Sequence, residues 1–182
     1  SHFLTPEEQT IAQDMQENLS YITMQFSGGH ALADRVLLQF GSEDEFGYPG
    51  HFPITVLKIT PLIEKFSDTL THRDYLGSIM NLGIERDTIG DILIKEKTAY
   101  LFCLENISDY IMEQLVKIKH TNVKCEVVDS DIPALKPTLK DEEFPVASLR
   151  LDGIIAQLTK CSRKEALSLF TDRKVTLNGK IT

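Results

Sequence analysis

The apolar and polar positions change period several times along the chain, and each change marks an element. "LTPEEQTIAQDMQENL" begins with a cap at Thr5, Pro6 at the first helical position and Glu8 closing a capping box, which predicts a helix over about 6–18. "YITMQF" reads as a strand broken by Gly28-Gly29, "HALADRVLLQF" as a second helix or mixed segment, and "GSEDEFGYPGHFP" as a loop. From Ile54 the pattern sharpens. "ITVLKI" is a strand, and "THRDYLGSIMNLG" is a helix capped by Thr71 and stopped by Gly83. "TIGDILI" and "TAYLFCLE" are strands joined by a hairpin at Lys95-Glu96-Lys97. "NISDYIMEQLVKIKH" places Ile107, Ile111, Leu115 and Ile118 on one helical stripe, and "NVKCEVV" is a last strand.

This order, β-α-β-β-α-β, is the split βαβ arrangement of ferredoxin-like domains, an architecture shared by many RNA-binding modules and by many proteins that bind no nucleic acid. The expected fold class is α+β, with four parts. Residues 1–53 form an N-terminal α/β subdomain and 54–129 a ferredoxin-like (RRM-like) unit. Residues 130–147, with three of the seven prolines and an acidic cluster, form a linker; 148–182 form a small C-terminal module. In that module Leu151, Ile154, Ile155 and Leu158 predict one helix, with Ser148 as a candidate cap. Ser162 and Glu165 box the start of a second, "KVTL" is a short strand, and Asn178-Gly179 suits a type I′ turn into a partner strand.

Composition fits a soluble globular chain, with 42% apolar and 25% charged residues. No apolar run reaches the roughly 18 residues needed to span a bilayer, and no secretory leader pattern is visible, so a cytoplasmic location is expected. Cys103, Cys125 and Cys161 are odd in number and far apart, which speaks against a disulfide framework; with five scattered histidines, neither a metal nor a cofactor is expected. Charge changes the picture more. The chain carries a net −8, but from Leu149 onward it is +4, which leaves −12 on the rest. Such asymmetry predicts an anionic partner for the tail that the body does not share.

Several motifs imitate known chemistry. His72-Arg73-Asp74 has the letters of a kinase catalytic loop, but the position that should hold a magnesium-binding Asn is Ile79, and Thr71 with Asp74 reads as a capping pair. Gly77, Gly83 and Gly90 are too widely spaced for a dinucleotide loop. Tyr100 and Phe102 alternate on one strand face and are candidate base-stacking residues, with core packing as the alternative. Arg150-Leu151-Asp152 matches the surroundings of the nucleophilic Asp in some pseudouridine synthases, but only 30 residues follow and they leave no room for a catalytic sheet.

Arg163 and Lys164 carry the sharpest signal. Both stand in the first turn of a helix, where the macrodipole disfavours cations by roughly 0.3–1 kcal/mol each. A phosphate there reverses the sign, because outward-pointing amides, dipole and basic side chains then converge on one anion. The alternative is a solvated surface pair, partly offset by Glu165.

"RLDGIIAQLTKCSRKEALSLFTDRKVTLNGK" resembles the S-four RNA-binding domain: R-L-D, an apolar helix, S-R-x-x-A, an apolar pair, then V-x-[VL]-N-G. "THRDYLGSIMNLGIERDTIGDILI", "FSGGHALADR" and "SLRLDGIIA" extend the likeness to the YlmH family of bacterial S-four proteins over nearly the whole chain. The resemblance implies RNA contacts through Arg150, Ser162, Arg163, Lys164, Arg173, Lys174, Asn178 and Lys180, with Arg173 standing where the family commonly has Gly. It also implies members that begin earlier and extend past Asn178-Gly179, so that the S-four domain here is its N-terminal part. The implied role is a non-enzymatic factor of ribosome-associated quality control that binds large-subunit ribosomal RNA and tRNA, alongside a factor that tails the stalled nascent chain, with no small-molecule substrate and no membrane. Rival readings are a cell-division-linked interaction module and an RNA-modifying enzyme.

Overall fold

The capping box at the start of the chain does what its chemistry requires. Thr5 Oγ1 accepts from the Glu8 amide and the Glu8 carboxylate accepts from the Thr5 amide at 2.8 Å, opening helix α1, Pro6–Asn18. In the computed structural model, residues 1–19, 21–47, 50–129, 143, 145–146, 149–172, 174–177 and 180–181 are described. Two compact units emerge, Ser1–Pro137 and Thr138–Thr182.

In the first unit, β1 (Met24–Ser27) pairs antiparallel with β2 (Leu37–Phe40). "HALADRVLLQF" is therefore not helical. The amides of Asp34 and Arg35 bond to the Asp91 carboxylate instead of to a carbonyl one turn back, and Leu37–Phe40 joins a ladder. The stretch expected as loop contains a short helix, α2 (Glu43–Phe46), boxed by Ser42 and Glu45.

The main sheet comes from β3 (Ile54–Pro61), β4 (Ile89–Lys95), β5 (Thr98–Leu104), β6 (Lys117–Ile118) and β7 (Thr121–Val128), in the order β4-β5-β3-β7-β6 with antiparallel neighbours. Helix α3 (His72–Met80) lies between β3 and β4, and α4 (Glu105–Gln114) between β5 and β6. Alternation fixes the faces. Leu57, Ile59, Ala99, Leu101 and Cys103 point to one side and pack with Tyr75 and Ile79 of α3 and Ile111 of α4. Each such aliphatic side chain contributes about 1.5–3 kcal/mol by leaving water. Thr71 caps α3 with Asp74 as its box partner, and Gly83 beyond the helix holds φ +80°, a left-handed turn that glycine takes without strain.

The amphipathic stripe expected to carry α4 through His120 is cut short. The helix ends at Gln114, and Lys117–Ile118 turns through Lys119, φ 53°, to pair with Thr121 and Asn122. Ile118 is fully buried either way, so a helical period and a core-facing strand residue coincide at that position. No helix among the described residues is long and apolar enough to cross a membrane.

The second unit holds α5 (Leu151–Thr159), α6 (Arg163–Thr171) and a ladder of β8 (Thr176–Leu177) with β9 (Lys180–Ile181). The partner strand expected after Asn178-Gly179 is present, while those two residues, Ser148 and Arg173 lie outside the described residues.

Candidate nucleic-acid interface

Helix α6 starts as its sequence demands. Ser162 Oγ accepts from the Glu165 amide at 3.3 Å, and the Ser162 amide donates to the Glu165 carboxylate at 2.8 Å. The Ser162 amide, and next its hydroxyl, hold the Glu165 carboxyl below its ordinary range. Arg163 and Lys164, next in line, are exposed. A Cβ placed on Gly153 would stand 3.6 Å from Arg163 Nη2, so the guanidinium lies along the first turn of α5.

At that turn Arg150 reaches Asp152 with two parallel bonds, Nε to Oδ1 at 3.0 Å and Nη2 to Oδ2 at 3.2 Å. The Asp152 carboxyl is held low, first by these bonds and also by the nearby charge of Arg163. Asp152 is 8% exposed and both its oxygens are engaged, so Arg150-Leu151-Asp152 forms a clamp at a helix start and presents no free carboxylate to a substrate. Arg150 and Arg163 thus flank one buried carboxylate, and the exposed Lys164 follows Arg163 on α6. A cleft of about 320 Å³ opens there, with Gly153, Gln157, Cys161 and Arg163 among its lining. Lys174 bonds Asp172 at 3.1 Å, and the side chain of Lys180 lies outside the described residues.

In this unit Lys160, which ends α5, takes a left-handed φ of 53°, while Arg173, where the family commonly has Gly, lies outside the described residues. Lys160→Gly is expected to stabilise α5 and α6 by about 1 kcal/mol, read as slower amide exchange in both helices.

Tyr100 and Phe102 do share a face, but they do not offer it to a base. Phe102 is fully buried and Tyr100 is 6% exposed, within a cluster that includes Val56, Leu93 and Val128. His30 lies over Phe102 with ring centroids 4.7 Å apart. Gly29, at φ +85°, passes so close that an added Cβ would come within 2.7 Å of the Phe102 ring. The core-packing alternative is what the structure adopts.

Beneath that contact lies an anchor the sequence reading did not single out. Asp91 of β4 accepts from His30 Nε2 at 2.9 Å, the Asp34 amide at 2.8 Å and the Arg35 amide at 3.2 Å. Arg35 in turn donates to the carbonyls of Ile89 and Phe3. Burial pushes the Asp91 carboxyl up, and the bonds from His30 and the two amides outweigh it, so the group sits below its ordinary value. The only available signal was the cluster of charges in "GGHALADR" next to an apolar strand. Burial raises the Cys103 thiol to about 12 and Cys125 to about 11, which leaves both protonated and inert. Among the described residues no three His, Cys, Asp or Glu side chains gather as a metal site.

Residues 49–131 match the family model described as "Putative RNA-binding domain in YlmH". The chain is 29% identical to the ribosome-associated protein quality control protein P2 of Bacillus subtilis (strain 168), over 98% of this chain and 69% of that protein. The solved structure of cell division protein ylmH from Streptococcus pneumoniae shares its fold, with a TM-score of 0.55 over 70% of this chain and 76% of that one, at 23% identity.

Proposed function

We propose that this chain, whose residues 49–131 match the YlmH RNA-binding-domain model, is a cytoplasmic, non-enzymatic RNA-binding factor of ribosome-associated quality control. In this reading it engages ribosomal RNA of the large subunit and tRNA. The observation that carries the reading is the match of residues 49–131, reinforced by a relative, similar over 98% of this chain and 69% of its own length, that is named for ribosome-associated quality control. The antiparallel order β4-β5-β3-β7 supports a ferredoxin-like body, and α5, α6 and the β8–β9 ladder support an S-four tail.

In the tail, Arg150, Ser162, Arg163 and Lys164 surround the start of α6, and Lys174, Asn178 and Lys180 follow. A phosphate docked at Arg163 and Lys164 would receive two cations, free amides and the positive end of the helix dipole together. Each phosphate neutralised releases counterions, so affinity should fall steeply with salt. Replacing Arg163 and Lys164 together by Ala is expected to weaken co-sedimentation with isolated large subunits about tenfold near physiological salt. It should also make the log–log salt slope shallower by about 2. Unchanged binding would remove both residues from the interface, and capture of division proteins without ribosomal subunits would favour the interaction-module reading.

A further inference from the structure

The face of the main sheet turned away from α3 and α4 carries a charge opposite to that of the body around it. On β3, Leu57 and Ile59 face the helices, so Lys58 faces the other way; on β7, Val123 and Cys125 place Lys124 and Glu126 on that outer face. On β4, Leu93 packs into the outer cluster, which puts Lys95 beside it. On β6, Ile118 is buried and Lys117 pairs with Asn122, two positions before Lys124. Ladder partners then align the charges in rows. Lys95 opposes Thr98, Thr60 opposes Lys124, and Lys58 lies between Tyr100 and Glu126. Four lysines therefore span the sheet from its β4 edge to its β6 edge, about 19 Å at ordinary strand spacing. Glu126 is the carboxylate among them, 3.8 Å from Lys58 and 3.4 Å from Lys124; Glu96 sits at the β4–β5 turn. The lysine side chains are reachable, 34% exposed at Lys58 and 55% at Lys124, with Lys95 and Lys117 exposed as well.

We propose that this outer face, through Lys58, Lys95, Lys117 and Lys124, is a second RNA surface that grips the sugar–phosphate backbone without reading bases. The inference rests on the RNA-binding reading of residues 49–131, within which all four lysines fall. Charge complementarity selects the occupant. Residues before Leu149 carry a net −12, which repels a polyanion everywhere except where cations are concentrated. The buried state of Phe102 and Tyr100 removes the stacking platform that base recognition on a sheet uses, which leaves phosphates as the groups this face can hold.

The test uses the full chain with purified large-subunit ribosomal RNA and with unfractionated tRNA, two probes that separate the two sources of backbone. Changing all four lysines to Gln should make the log–log salt slope shallower by about 3 on at least one of them, since each lost phosphate contact removes about 0.7–0.9. Glu126→Gln, which removes the carboxylate, should tighten binding about twofold. A variant that spares half-buried Lys58, with Lys95, Lys117 and Lys124 changed, guards against a folding defect, and bound RNA should protect the four amines from acetylation. Unaltered slopes on both RNAs, with amines equally reactive in bound and free protein, overturn the proposal. Its failure is distinct from failure of the tail: in one case only the Arg163 and Lys164 changes weaken binding, in the other only the lysine changes do. Absence of any RNA binding by the unaltered chain overturns both.

Discussion

Phe102→Ala is expected to destabilise the body by about 3–5 kcal/mol, the range for deleting a fully buried aromatic ring. The ring is completely enclosed, with Val56 opposite it on β3, His30 against its face and the Gly29 backbone in close approach. The His30 side of the cavity resists collapse, because His30 is held by its bond to Asp91. Chemical denaturation of the full chain should show the first transition move to lower denaturant. Phe102→Leu, which keeps most of the volume, should cost much less and leave RNA affinity unchanged. A ring that stacked a base would instead lose about 1–3 kcal/mol of binding on either change. A loss of affinity in a stably folded Phe102→Leu protein would restore the base-stacking reading.

The second large effect is Asp91→Ala, expected to cost about 2–4 kcal/mol. The side chain is 12% exposed, and its removal leaves the amides of Asp34 and Arg35 and the ring nitrogen of His30 without their acceptor. Asp91→Asn, which retains one acceptor oxygen, should fall between. The carboxyl is also a source of pH dependence. Its folded-state pKa lies below its unfolded value, so the stability it supplies is present above the ordinary aspartate range, near 4. That stability is lost as pH falls through the lower folded value. Unfolding followed from neutral pH into that range should show a steeper decline for the unaltered chain than for Asp91→Ala. Parallel curves would mean that Asp91 does not hold the 28–36 segment through its charge.

These two sites show why part of the protein was legible in its sequence and part was not. Capping boxes at Thr5, Thr71 and Ser162 are contacts three residues apart, and each appears where local chemistry put it. The strands from Ile54 onward were legible because alternation is a local period, and Glu96 turns between β4 and β5 at φ 55° as the charged triplet implied. The tail's two helices and following ladder were legible for the same reason.

Long-range contacts decided the rest. "HALADRVLLQF" has enough apolar positions for a helix, yet Asp91, more than fifty residues away, takes the amides a helix would need. Tyr100 and Phe102 have the same alternation whether the face is open or covered, and only the 28–36 segment, folded back over Phe102, settles which. Ile118 fits a helical stripe and a buried strand equally well, and pairing with Thr121 chose the strand. The sequence by itself determined the elements, their caps and a basic tail on an acidic body, because these depend on neighbours within a few residues. Tertiary structure decided which side chains are covered and which lysines share a face, because burial and strand pairing join residues that no local period relates.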